Sequence, residues 1–214
     1  MNPSFKAPPQ VSPSSSPALR FGAIILAAGA STRMGQPKQL LPVAGRPLIV
    51  HAAEAALTGG AWPVVVVLGA HAEQIRPALA RLPVLTVENS AWPEGMASSI
   101  RTGIATLRQF SRTLDAALIA LCDQPAFSAA VIAQLIAAQR TTGHSIVAAR
   151  YNSRHGAPAL LLREHFPALA ALTGEAGARD LLNGAPERVA AVDLPALAQD
   201  IDTPADYAAA TKPA

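Results

Sequence analysis

Residues 21–42 read FGAIILAAGASTRMGQPKQLLP. The apolar run 21–27 predicts a buried β-strand, and it stops at Gly29. A loop of small and hydroxyl residues follows, then Arg33, Gly35 and Lys38. An apolar strand, a glycine turn and two cations together suit an anion such as a phosphate chain. Glycine permits close backbone approach and positive φ. The N–H groups of residues 28–33 would then cradle a triphosphate. Arg33 offers a planar fork to phosphate oxygens and Lys38 a mobile point charge. The segment is not a P-loop, since GxxxxGK[ST] is absent, and no GxGxxG follows the strand.

Working outward, apolar β-type runs alternate with helical patterns. Strands are expected at 21–27, 63–69, 83–89, 115–123 and 144–150. The run PVVVVLG at 63–69 has the continuous apolar character of a strand buried on both faces. Helices are expected at 47–57, with Pro47 suited to the first turn, and at 72–82, 96–110 and 128–140, the last with Ser128 as N-cap. Residues 156–162 fit either a further strand of the sheet or an antiparallel addition. Short helices and a final strand near 188–192 follow. This β-α-β-α order predicts an α/β fold, a mostly parallel central sheet flanked by helices, with ligands beyond the carboxyl ends of the strands. The loops 28–38 and 122–127 both follow strands, so both should open on one edge.

The chain has 214 residues, half of them apolar and 14% charged, enough to bury a real core. Residues 1–19 are rich in Pro and Ser without an apolar stretch, and read as a disordered tail rather than a secretion signal. Residues 20–214 are expected to form one domain. Lys and Arg number 17 against 14 Asp and Glu, a net charge of +3. The basic residues are scattered, which argues against a nucleic-acid partner. No apolar run reaches the ~18 residues of a membrane span. The single cysteine, Cys122, excludes an internal disulfide framework and agrees with a cytoplasmic setting. It reads as a small buried residue rather than a nucleophile.

Further polar segments carry chemistry. LCDQP at 121–125 places Asp123 at a strand end before a turn. A carboxylate there suits Mg2+, which takes oxygen ligands and often uses one or two carboxylates plus substrate phosphates; a capping role is the alternative. DIDTPADY at 200–207 supplies Asp200 and Asp202, one of them a candidate second ligand, and also reads as a helix start. ENSAWPEGMASSI at 88–100 runs into a helix with Ser98 and Ser99 near its first turn, a place to read a base edge or bind phosphate. Arg154, His155 and Arg179, in two late glycine-bearing segments, are candidates to face an anionic acceptor. No HExxH motif or Cys/His cluster points to zinc, and no GxSxG to a serine hydrolase.

Taken in order, LAAGASTRMGQPKQLLP, NSAWPEGMASSIRTGI, LCDQP, RHGAPALL, GEAGAR and DIDTPADY resemble the nucleotidyltransferases of the molybdenum cofactor type, the cytidylyltransferases in particular. The resemblance spans nearly all of residues 21–210. It implies a Rossmann-like, GT-A-type domain in which a substrate phosphate attacks the α-phosphorus of a nucleoside triphosphate and releases pyrophosphate. By position, Arg33, Lys38 and Asp123 are then catalytic. Asp123 and Asp202 hold Mg2+. Ala27, Ala28, Gly29, Ser31, Arg33, Lys38 and Ser99 bind the nucleotide. Relatives using GTP typically carry LAGG where this chain has Ala28, so a methyl group there would narrow the base pocket and favour CTP over GTP; sugar-nucleotide relatives also carry LAAG, so that residue leaves UTP open. The family commonly has Asp where this chain has Glu175. The implied acceptor is molybdopterin-bound molybdenum, with a molybdoenzyme or its chaperone as further partner. The same chemistry on a sugar phosphate or phospho-acid, and a non-catalytic cofactor carrier, are the alternatives.

Overall fold

The computed structural model describes residues 18–175 and 177–212. Most of the expected N-terminal tail therefore lies outside the described residues. In chain order the elements are β1 (Phe21–Ala27), β2 (Pro42–Val43), β3 (Arg46–Pro47), α1 (Leu48–Thr58), β4 (Val64–Leu68), α2 (Ala72–Ile75), β5 (Leu85–Glu88), α3 (Met96–Phe110), β6 (Ala116–Leu121), α4 (Ala129–Thr142), β7 (Ile146–Tyr151), β8 (Arg154–Leu162), α5 (Phe166–Ala170), α6 (Arg179–Asn183), β9 (Val189–Asp193) and α7 (Pro204–Ala210).

Seven strands form one sheet in the order β5-β4-β1-β6-β8-β7-β9. The left half is parallel, with Ile24 opposite Val65 on one side and Ile119 on the other. β8 enters antiparallel between β6 and β7, which settles the alternative left open for 156–162, and β9 returns parallel to β7. β1 and β4 are buried along their whole length, as continuous apolar strands require. Alternate residues feed two cores. Ile24, Leu26, Val65 and Val67 pack under α3 with Ile100, Ile104 and Leu107. Ile25, Val66 and Leu68 pack on the opposite face with Ile49, Ile132 and Leu135. Each such fully buried side chain contributes about 1.5–3 kcal/mol relative to exposure.

Several expected boundaries shift for physical reasons. The helix expected at 72–82 is α-helical only to Ile75 and continues as a 3-10 turn over Arg76–Leu79, because Pro77 lacks an N–H and crowds the preceding turn. Pro47 sits just before α1, in a two-residue hairpin strand, rather than in the first turn. β6 ends at Leu121, so Asp123 belongs to the loop and not to the strand. Ser128 does cap α4, its side chain accepting from the Val131 N–H. Among the described residues no helix is long and apolar enough to cross a membrane.

Candidate active site

The loops after β1 and β6 open on the same edge, and the segment before α7 joins them. Lys38 Nζ lies 2.6 Å from Asp123 Oδ2 and 2.6 Å from Asp202 Oδ1. Arg33 reaches the other oxygen of Asp202 at 2.7 Å. Four residues singled out from three separate motifs thus meet in one cluster of two cations and two carboxylates. Two local devices bring the last motif there. The Ile201 N–H donates to the Asp123 carbonyl at 2.9 Å. Thr203 caps α7 in a reciprocal box with Asp206, which turns the chain directly after Asp202.

The electrostatics follow from burial and charge. Burial works against the Lys38 ammonium, but the charge of Asp123 and hydrogen bonds to Asp123 and Asp202 outweigh it and hold its pKa above the ordinary value. Burial pushes Asp123 up from the usual carboxylate range, and Lys38 draws it back part of the way. Asp202 is less enclosed; burial again opposes its charge, yet Lys38 and Arg33 together keep it low. Asp123 Oδ1 is buried with no hydrogen-bond partner among the described residues. Cys122, beside it, is buried, and that burial pushes its thiol up, the environment of a small packed residue.

The first loop has a particular hydrogen-bond pattern. The carbonyls of Ala27 and Gly29 accept from Gln39 Nε2 at 3.0 and 3.0 Å, that of Ala28 from the Ala70 N–H at 3.1 Å, and that of Ala30 from His71 Nε2 at 2.9 Å. Among the described residues the amide N–H groups of Gly29, Ala30, Ser31, Thr32 and Arg33 have no acceptor. Acceptors are therefore tied down and donors offered, as an anion cradle requires. Gly29 is exposed, and a Cβ there would meet nothing within 4 Å. Positive φ falls on Gly35 (72°), as glycine allows, but also on Ser31 (53°) rather than Gly29.

Three of the nucleotide-binding candidates have enclosed side chains. The Ser31 Oγ accepts from the Lys38 N–H and donates to Gln39 Oε1. Ser99 is 4% exposed and accepts from Asn89 Nδ2 at 3.0 Å, so its hydroxyl is enclosed between strand end and helix rather than offered to a base. The methyl of Ala28 is also buried. A Cβ built on Gly69 would lie 2.8 Å from Ala28 Cβ, so that methyl lies against the end of β4.

Arg154, His155 and Arg179 line one cavity of about 220 Å3, floored by Leu26, Ile119 and Leu121. It spans β1, β6 and the start of β8, which the antiparallel entry of β8 beside β6 brings there. His155 Nδ1 donates to the Leu182 carbonyl at 3.1 Å, which anchors β8 to α6.

Sequence reading overlooked Gln39, Gln124 and His71. Gln39 and Gln124 are 1% and 4% exposed and each bonds several segments. Gln124 Nε2 reaches the Tyr151 hydroxyl and the carbonyls of Ala157 and Leu197. Their signal was faint: each follows a charged motif residue directly and reads as its neighbour.

Two carboxylates, one with an orphaned buried oxygen, fit a hard divalent cation that takes its remaining ligands from phosphates and water. No cluster of three or more metal-ligating side chains occurs among the described residues, which disfavours a cage built from protein alone.

Nicotine blue oxidoreductase from Paenarthrobacter nicotinovorans is 37% identical over 191 residues, 84% of this chain and 91% of that protein. The crystal structure of Rv0371c from Mycobacterium tuberculosis H37Rv has a TM-score of 0.75 at 27% identity, covering 92% of this chain and all of that one. A structure of Rv0371c in complex with manganese has a TM-score of 0.71 at 26% identity, covering 90% and 98%. The family model of the MobA-like NTP transferase domain matches residues 23–192, and the chain belongs to that family.

Proposed function

We propose that this protein is a metal-dependent nucleotidyltransferase that moves CMP from CTP to the terminal phosphate of molybdopterin-bound molybdenum and releases pyrophosphate. The observation that carries the transferase reading is the cluster of Arg33, Lys38, Asp123 and Asp202 beside a loop whose carbonyls at 27–30 are hydrogen-bonded and whose amides at 29–33 have no acceptor among the described residues. The choice of CTP and of molybdopterin rests on the sequence resemblance.

The acceptor is already a phosphate, so no protein nucleophile and little general base are needed. Positioning and charge neutralisation suffice. The amides of residues 29–33 and the Lys38 and Arg33 side chains bind the triphosphate and stabilise charge developing on it. Asp123 and Asp202 would hold Mg2+ or another divalent cation, which when bound polarises the phosphate oxygens; the manganese complex of a neighbour supports the use of a divalent cation. Arg154, His155 and Arg179 would orient the acceptor in their cavity.

A second reading has its own support. The relative of 37% identity is named as an oxidoreductase, so a nucleotide-using redox enzyme is the alternative. One assay set separates the two. Pyrophosphate release is measured with CTP, GTP, UTP or ATP, Mg2+ and molybdopterin, and nicotine blue reduction is measured with NADH or NADPH. Pyrophosphate release selective for CTP is expected. Reduction of the dye without pyrophosphate release would replace the transferase reading, and release with another base would overturn CTP.

A further inference from the structure

Gln39 is a glutamine 1% exposed, yet every polar group on its side chain is engaged. Its Nε2 faces two carbonyls, which only the amide NH2 can satisfy, and this fixes the orientation of the group. Its Oε1 accepts from Ser31 Oγ at 3.3 Å, and Ser31 Oγ in turn accepts from the Lys38 backbone N–H at 3.2 Å. One side chain thereby joins the end of β1, the loop at Gly29 and Ser31, and the backbone of Lys38. His71 braces the same loop from the end of β4 through Ala30.

The consequence follows from peptide geometry. C=O and N–H of a trans peptide point in opposite directions. Holding the Gly29 carbonyl on Gln39 aims the Ala30 N–H away from Gln39. Holding the Ala28 and Ala30 carbonyls on Ala70 and His71 aims the N–H groups of Gly29 and Ser31 away from the β4 end. Without these bonds the loop is free to turn carbonyls toward an incoming anion, which they would repel.

We propose that Gln39 is a positioning residue for the nucleotide phosphates, acting through the backbone of residues 27–31 and Lys38 and touching no substrate itself, with His71 as its counterpart. This rests on the nucleotidyl-transfer reading above. The test uses the full chain, Mg2+ and inorganic tripolyphosphate as a base-free probe, with CTP in parallel. Gln39→Met keeps the length of the side chain and removes its donors. It is expected to weaken tripolyphosphate and CTP about tenfold or more, since the carbonyls of Ala27 and Gly29 lose their partner at once. KM for the phosphorylated acceptor should stay within about twofold, a split that general loosening of the fold would not produce. Unchanged tripolyphosphate affinity in folded Gln39→Met overturns the proposal. If that variant does not fold, His71→Phe replaces it; a loss of about three- to tenfold supports the proposal and an unchanged affinity overturns it. A wild-type protein that binds neither tripolyphosphate nor any nucleotide defeats the transferase reading itself.

Discussion

Lys38 and Asp123 lie 85 residues apart in sequence and 2.6 Å apart in the fold, and the same ammonium touches Asp202 at 2.6 Å. Lys38 thus sits between the two carboxylates assigned to a divalent cation. Ammonium and metal compete for the same oxygens. A triphosphate that draws Lys38 and Arg33 to itself would release both carboxylates, so nucleotide and metal should bind with positive coupling.

Lys38→Met should expose this competition. Removing one partner of a buried pair leaves Asp123 uncompensated, and a loss of about 3 kcal/mol in stability is expected. Mn2+ should restore much of that loss in the variant while changing the wild type little, and calorimetric titration without nucleotide should find Mn2+ bound about tenfold or more tighter by the variant. Equal Mn2+ affinity in both proteins would remove the competition.

Asp123→Ala addresses the carboxylate from the other side. Turnover should fall at least about 100-fold, as for loss of a group that stabilises transition-state charge. CTP binding, read by thermal shift, should largely persist because the loop amides, Arg33 and Lys38 remain. Full activity in this variant would contradict the metal assignment.

Gly69 is where the end of β4 approaches the first loop. A Cβ there would fall 2.5 Å from the Ala28 carbonyl oxygen, the acceptor for Ala70, and 2.9 Å from Trp92 Cγ. Gly69→Ala should cost about 1–3 kcal/mol by overpacking and weaken nucleotide binding with it. Ala28→Gly, by contrast, should leave the ratio of CTP to GTP affinity within about threefold, because the buried methyl meets the β4 end. A switch toward GTP in that variant would reinstate Ala28 as a direct selector.

Thr203 couples the C-terminal helix to the site. Hydrogen bonds from its side chain and N–H hold the Asp206 carboxyl below its ordinary range. A depressed carboxyl stabilises the fold in full above its unfolded value near about 4 and loses that contribution as pH falls through the lower folded value. Thr203→Ala should therefore be less stable than wild type at pH 7, and the gap should shrink at acid pH, as urea denaturation at both pH values would report. A gap that widens in acid would reverse the assignment.

Much of the site was legible because its residues stand in short contiguous motifs. Arg33, Lys38 and Asp123 were singled out from residue type and loop position, and Asp202 was chosen over Asp200 by the family resemblance. Ser31, Ser99 and Ala28 were placed correctly in the chain, but the directions of their side chains were not available there. A serine near a helix start and a serine turned toward Asn89 have the same sequence. Gln39 and Gln124 were passed over because a buried amide among apolar residues has no period of its own.

The sequence by itself determined the alternation of strand and helix, the two-sided burial of β1 and β4, the caps at Ser128 and near residue 203, and the loops that carry charge. These are local properties, written in the spacing of apolar residues and in turn chemistry within a few positions. Only the tertiary structure decided that β8 enters antiparallel beside β6, that Asp202 arrives 164 residues after Lys38 to share its ammonium, and that Gln39 holds the carbonyls of the first loop. Those outcomes depend on strand order and on which buried polar groups find partners. Both are set by burying the two faces of the sheet and pairing most enclosed donors and acceptors together, and neither is encoded within any single window of the chain.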